Sequence, residues 1–450
     1  MRQTLLVATM TATLVNSHQV FADSETETIK HQLDALKKEY EQRIQTLEAR
    51  LKKIEQQQKN AEPEAQKVAT ESEQNNESSI TSALPSFNPD ISLILDGQYA
   101  YYSNDTQNYR LPGFMLGAEA GLGNKGFALG ESELTISSNI DDKFFGQLTL
   151  AFSGDADNTE VSVEEAFFQT LGLGYGLTLK GGRFFSAIGY LNEQHAHAWD
   201  FADAPLIYRG LFGDQLVNDG VQVTYLLPTD IFMQIGGELS AGDHFPAAGS
   251  QNGIGAWSLF FNIGDDIGIE HSWQLGVNYW QADSIKDRKS NFLDTTSLFN
   301  GDSKIASLDF VYKWAPNGNP INKNFKFQFE YFDRHEDGSI AANNINSNYD
   351  GHQYGWYAQG IFQFMPQWKI GVRYDQLESD NSGSNSAVLA TTGLLNSFSP
   401  KRYSAMLEWI PSEFSRIRLQ YNYDNSYQNS DSQLFVQYTY SLGTHGAHQY

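Results

Sequence analysis

From about residue 89 to Tyr450, this chain is a long series of short segments in which every second residue is apolar or aromatic and those between are polar. The last segment shows the pattern plainly. Leu434, Val436, Tyr438, Tyr440 and Leu442 share one face, and Gln433, Gln437, Thr439 and Ser441 share the other. Each segment is therefore a strand with one oily side and one wet side. No helical stretch is expected between them. Such a series fits an all-β transmembrane barrel whose outside meets lipid and whose inside meets water.

Composition narrows this further. After the N-terminus no run reaches the roughly 18 apolar residues of a spanning helix, so a helical membrane protein is excluded. Aromatics make up 13% of the 450 residues and sit on the apolar faces, as expected where Trp and Tyr gather at membrane interfaces. Met1–Ala22 reads as a secretory signal peptide: Arg2, a short apolar stretch from Leu5 to Val15, then Val20-Phe21-Ala22 before the cut. Cysteine is absent, which suits an oxidising compartment. The formal net charge of −24 argues against nucleic acid as a partner and favours cations over anions in a channel.

The chain divides into four parts. The signal occupies 1–22. A helical coiled-coil segment follows over 23–58, its seam formed by Ile29, Leu33, Leu36, Tyr40, Ile44, Leu47, Leu51 and Ile54, with a stutter near Tyr40. Residues 59–88 form a polar, flexible linker. Residues 89–450 form the barrel, read as about sixteen strands, among them 268–282, 301–314, 322–336, 351–365 and 430–450. Short turns alternate with long polar loops, as in barrels with tight periplasmic turns and longer outer loops. Both barrel ends and the coil then lie on the periplasmic side.

Alternation also assigns faces. Trp368, Ile370, Val372 and Tyr374 face lipid, which turns Lys369, Arg373 and Asp375 inward. Arg402, Glu408, Arg416, Arg418 and Gln420 face inward likewise, as do Lys326, Gln328, Glu330, Arg334, Asp96, Gln98, Glu131, Glu133 and Gln147. A charge on the lipid face near the midplane would cost about 2–4 kcal/mol. Sixteen strands leave an aqueous lumen, so selectivity needs a constriction. The loop at about 187–218 carries more apolar and aromatic residues than an exposed loop needs. Folded inward, it would set Glu193, Asp200 and Asp203 opposite wall arginines, with Arg183, Lys369, Arg373, Arg402, Arg416 and Arg418 as pore-lining residues. In the same loop His195-x-His197 with nearby carboxylates is the donor set zinc would use; no other cofactor is expected. His445 and His448 fall on opposite faces of the last strand. Neither a G-x-S-x-G elbow nor an H-E-x-x-H helix occurs, and no enzyme is expected.

The segments Gly126–Leu134, Gly182–Asn192 and Gly443–His448 resemble Gram-negative outer-membrane proteins related to the phosphate-selective porins O and P. The resemblance spans about 90–450. It implies a sixteen-stranded homotrimeric porin, seated in outer-membrane lipid, with an inward-folded third loop. Proteins of this look also carry labels as zinc-regulated or TonB-dependent receptors. The expected role is passive diffusion of small hydrophilic solutes or ions. The alternatives are a metal (zinc) or ligand uptake receptor and an envelope tether working through the periplasmic coil.

Overall fold

A computed structural model describes residues 89–443 apart from 118–119, 155–158, 249–252, 396–397 and 428. The expected signal, coil and linker, and His445 and His448, lie outside the described residues. Sixteen strands are described: β1 Asp90–Tyr102, β2 Gly126–Asn139, β3 Phe144–Gly154, β4 Thr159–Thr170, β5 Leu177–Phe185, β6 Val217–Leu226, β7 Phe232–Ser240 and β8 Ala256–Ile267. Then come β9 His271–Phe292, β10 Thr295–Trp314, β11 Asn324–Ala342, β12 Ile345–Met365, β13 Trp368–Gly383, β14 Lys401–Ser412, β15 Ser415–Asn425 and β16 Asp431–Gly443. Each pairs antiparallel with its sequence neighbours, and β1 pairs with β16, with Leu95 opposite Tyr440, so the sheet closes on itself. Closure leaves no unpaired edge, the condition for strands to stand in hydrocarbon.

The pleat sorts the side chains as the alternation demands. On β15, Ile417, Leu419, Tyr421 and Tyr423 point out and are exposed, while Arg418, Gln420, Asn422 and Asp424 point in and are buried. Outward aromatics meet across strands. Trp368 and Trp409 stack beside the short turns, and Trp356, Tyr374 and Tyr403 form a row further along β12, β13 and β14.

Two expectations about connections are corrected. The stretches between 282 and 301 and between 336 and 351 are not loops. They extend β9 and β10, and β11 and β12, to 19–22 residues each, about twice what a bilayer needs. β11 and β12 meet in a two-residue hairpin in which Asn343 and Asn344 both have positive φ, the backbone a tight primed turn requires. Long and short connections therefore do not alternate strictly. The last strand is described only to Gly443 rather than to Tyr450.

Among the described residues α-helix does occur between strands, in two short pieces: α1 Leu206–Phe212 within the β5–β6 connection and α2 Ser386–Thr391 within the β13–β14 connection. Both reach the barrel interior. Leu206, Ile207, Tyr208, Leu211 and Phe212 pack with Leu111, Phe114 and Met115 of the β1–β2 loop, Val388 and Leu389 of α2, and the wall residues Trp280, Phe299, Phe332, Tyr357 and Leu377. An apolar core thus lies inside the barrel, toward the long-strand end. Burying each large side chain there contributes about 1.5–3 kcal/mol.

Candidate functional site

The β5–β6 connection, residues 186–216, folds into the lumen and divides it. Its base is tied by Asn192, which is fully buried. The Asn192 amide donates to the Ser186 and Leu216 carbonyls at 2.8 and 2.9 Å, and its Oδ1 accepts from the Leu216 N–H at 2.7 Å. Gly189 follows the apolar Ile188 with φ +84; a Cβ there would run into the Tyr208 hydroxyl, Glu330 and Phe332, so only glycine lets the loop approach the wall.

One side of the loop docks on a basic wall. Asp203 accepts from Arg373 at 2.7 Å, Arg402 at 2.8 Å, Gln420 at 2.7 Å and Asn422 at 2.8 Å. Arg373 also donates to the Asp203 carbonyl, Arg402 to that of Ala204, Arg418 to that of Trp199 and Arg416 to that of His197. Four wall arginines therefore each hold a loop carbonyl. Arg373 and Arg402 also meet Asp375, Arg418 meets Glu408 and Gln437, and Arg416 reaches Thr439. Charge-assisted bonds of this kind are strong, and removing one partner strands the other in a dry place. Burial would raise the Asp203 carboxyl, but the charges of Arg402, Arg373 and Arg209 outweigh it and hold it well below the ordinary carboxylate range.

The opposite side docks on an acidic wall. His195 Nδ1 lies 3.1 Å from both Glu133 Oε2 and Glu164 Oε2, and its Nε2 lies 3.1 Å from Glu165 Oε2. His197 Nδ1 lies 2.6 Å from Glu133 Oε1, and the two imidazoles stack with centroids 5.6 Å apart. Between these walls two further carboxylates anchor the loop through neutral donors. Glu238 accepts from Ser186, the Ala187 N–H, Asn218, Gln222 and Ser258. Glu330 accepts from Tyr208, Tyr357, Gln328 and the Leu191 N–H.

On the short-turn side of the loop a cavity of about 1020 Å³ opens. Lys313, Lys326, Lys369, Arg416 and Arg418 line it together with Glu193, Asp200, Glu408 and Glu413. Bases and acids nearly balance there, so the chain's net charge of −24 is not carried by the cavity wall.

Several expected site residues stand elsewhere than alternation and loop position predict. Arg183 is not in the lumen. It pairs in register with Ala166 and Asp219 on the outward face, binds Asp219 at 2.7 Å, and donates to the Val163 carbonyl among exposed valines. Gly181-Gly182 just before it offers no side chains from which to read the face. Arg373 and Arg402 do point inward, but they are only 3% and 0% exposed beneath the loop, so they fasten it rather than line water. The acids do not face the arginines across an opening either. Asp203 bonds them directly, Asp200 pairs with Lys326 at 2.8 Å, and Glu193 is exposed to the cavity. Lys369, Arg416 and Arg418 line the cavity. His195 and His197 come together with Glu133. Glu238, the Glu164 and Glu165 pair and the β1–β2 loop are site elements that alternation and loop composition do not single out. The apolar run Leu111-Pro112-Gly113-Phe114-Met115-Leu116 was the signal for that loop.

No family model matches the chain. An uncharacterized protein of Aquifex aeolicus (strain VF5) is 28% identical over 394 residues, covering 81% of this chain and 80% of that protein. Among solved structures, OmpT of Vibrio cholerae in its trimer form has a TM-score of 0.48 at 11% identity, over 79% of this chain and 99% of its own. The outer membrane channel DcaP of Acinetobacter baumannii has a TM-score of 0.50 at 12% identity, over 79% of this chain and 97% of its own. The chain is therefore a closed sixteen-strand antiparallel barrel of the outer-membrane type.

Proposed function

We propose that this chain is an outer-membrane porin that lets small hydrophilic solutes or ions diffuse passively, through a lumen narrowed by its β5–β6 loop. The observation that carries this reading is the cavity of about 1020 Å³, lined by lysines, arginines, glutamates and glutamines, inside a closed barrel with an apolar exterior. Polar lining of that size has no use in a barrel that serves only as an anchor. The short turns face the periplasm, so the cavity is a periplasmic vestibule and the apolar core lies toward the outside. The nearly balanced lining supports weak discrimination between cations and anions. A homotrimer, and relation to the phosphate-selective porins, belong to the same reading.

Planar-bilayer recording with reversal potentials under a salt gradient tests it. A steady conductance with a small reversal potential is expected. A barrel that inserts and stays silent in every salt would contradict it and favour an anchor.

A further inference from the structure

The acidic wall is short of positive charge and of hydrogen-bond donors. Glu133, Glu164 and Glu165 converge on His195 and His197, with Glu131 set against Glu164 and Glu133. Glu133, Glu164, Glu165 and His197 are each more than nine-tenths buried. No lysine or arginine among the described residues pairs with any of the four carboxylates. The rest of the lumen is built otherwise: Glu238 collects five hydrogen bonds and Glu330 four, whereas Glu164 Oε1 is buried and accepts none. Buried carboxylates left like this are costly unless a proton or a metal cation joins them.

The geometry suits one. A ring nitrogen of each histidine and a carboxylate oxygen of Glu133 lie within 4.8 Å of one another. An ion with bonds of about 2.0–2.2 Å spans its ligand atoms at roughly 3.3 Å, so small adjustments suffice. Imidazole nitrogens and carboxylate oxygens are the donors zinc accepts, and His197 borders the polar cavity, which gives the ion a route in. We propose that Glu133, His195 and His197, with Glu164 completing the set, bind a divalent transition-metal ion of the zinc type that fastens the loop to β2 and β4.

Two other histidine–carboxylate groups would compete for metal: Asp333 with His335 and His352, and Asp219 and Asp243 with His244, both partly exposed. The test therefore uses the full barrel with His244, His335 and His352 changed to Ala. This background, stripped by chelator in detergent, is titrated with zinc chloride, then with cobalt chloride. One tightly held zinc per chain is expected, with a raised melting temperature and the visible absorption of cobalt bound by nitrogen and oxygen. His195→Ala/His197→Ala should lose all three signals. Glu133→Gln is the milder variant, and heat-modifiable gel migration shows whether each variant has folded. Failure of the background to bind zinc, or equal binding by folded His195→Ala/His197→Ala, overturns the proposal. Zinc binding is read without conductance, so its failure leaves the porin reading standing.

Discussion

The inward loop rests on two walls of opposite character. On β13, β14 and β15, four arginines meet loop carbonyls and Asp203, and almost every charge has a partner within about 3.5 Å. On β2 and β4, three carboxylates meet two imidazoles, and a buried oxygen stays unpartnered. The basic wall is nearly complete with protein groups alone; Arg416 Nε, 3.7 Å from Glu408, is its one buried arginine donor without a hydrogen-bond partner among the described residues. The acidic wall sets carboxylates against one another and leaves Glu164 Oε1 without a donor. A fixed constriction needs the first kind of contact; a responsive one is built from the second.

The largest expected effect comes from breaking the basic wall. Arg402→Ala leaves Asp203 and Asp375 short of a buried partner and should destabilise the barrel by about 3–5 kcal/mol, read from the temperature of heat-modifiable gel migration. Next is Gly189→Ala, which adds a Cβ at positive φ against Tyr208 and Glu330; a loss of about 1–3 kcal/mol is expected, with faster protease cleavage within 186–216.

The pH response distinguishes the walls further. The Asp203 carboxyl is held below its unfolded value. Its contribution is therefore fully present above the unfolded value and is lost only as pH falls through the lower folded one. Protease protection of the loop should thus be the same from about pH 7 to about pH 4 and decline below that. Loss of protection already at pH 5 would mean that Asp203 is not clamped. On the acidic wall, Glu164→Gln gives up a bond to His195 but relieves repulsion, so chelator-treated protein should change by no more than about 1 kcal/mol. Smallest of all is Arg183→Ala: its pair with Asp219 is about one-third exposed on the outer face, and the cost should stay within about 0–1 kcal/mol, with conductance unchanged.

The barrel was legible because lipid outside and water inside impose a period of two on every strand. Where lipid ends, the contrast fades. Lys286, Asp287, Lys289 and Asn291 on β9, and Asn346, Asn348 and Asp350 on β12, are polar on the outer side as well, so the long hairpins look like loops in sequence. The inward faces of Arg373 and Arg402 were legible for the same periodic reason. Their partners were not, because Asp203 lies 170 and 199 residues away and no local pattern records that meeting. The loop advertised its burial through Ile188, Leu191, Trp199 and Phe201, and His195 and His197 advertised themselves by spacing. Their carboxylate partners arrive from β2 and β4, on strands whose bulges shift the local register.

Arg373 and Arg402 fasten the loop rather than line the pore. Single-channel recording of Arg373→Ala/Arg402→Ala against the unaltered barrel tests it most directly. Released from its clamp, the loop should leave the lumen wider, and conductance should rise with little change in reversal potential. Unchanged conductance with a reversal potential shifted toward cations would contradict a clamping role, because that is how water-exposed pore arginines behave when removed.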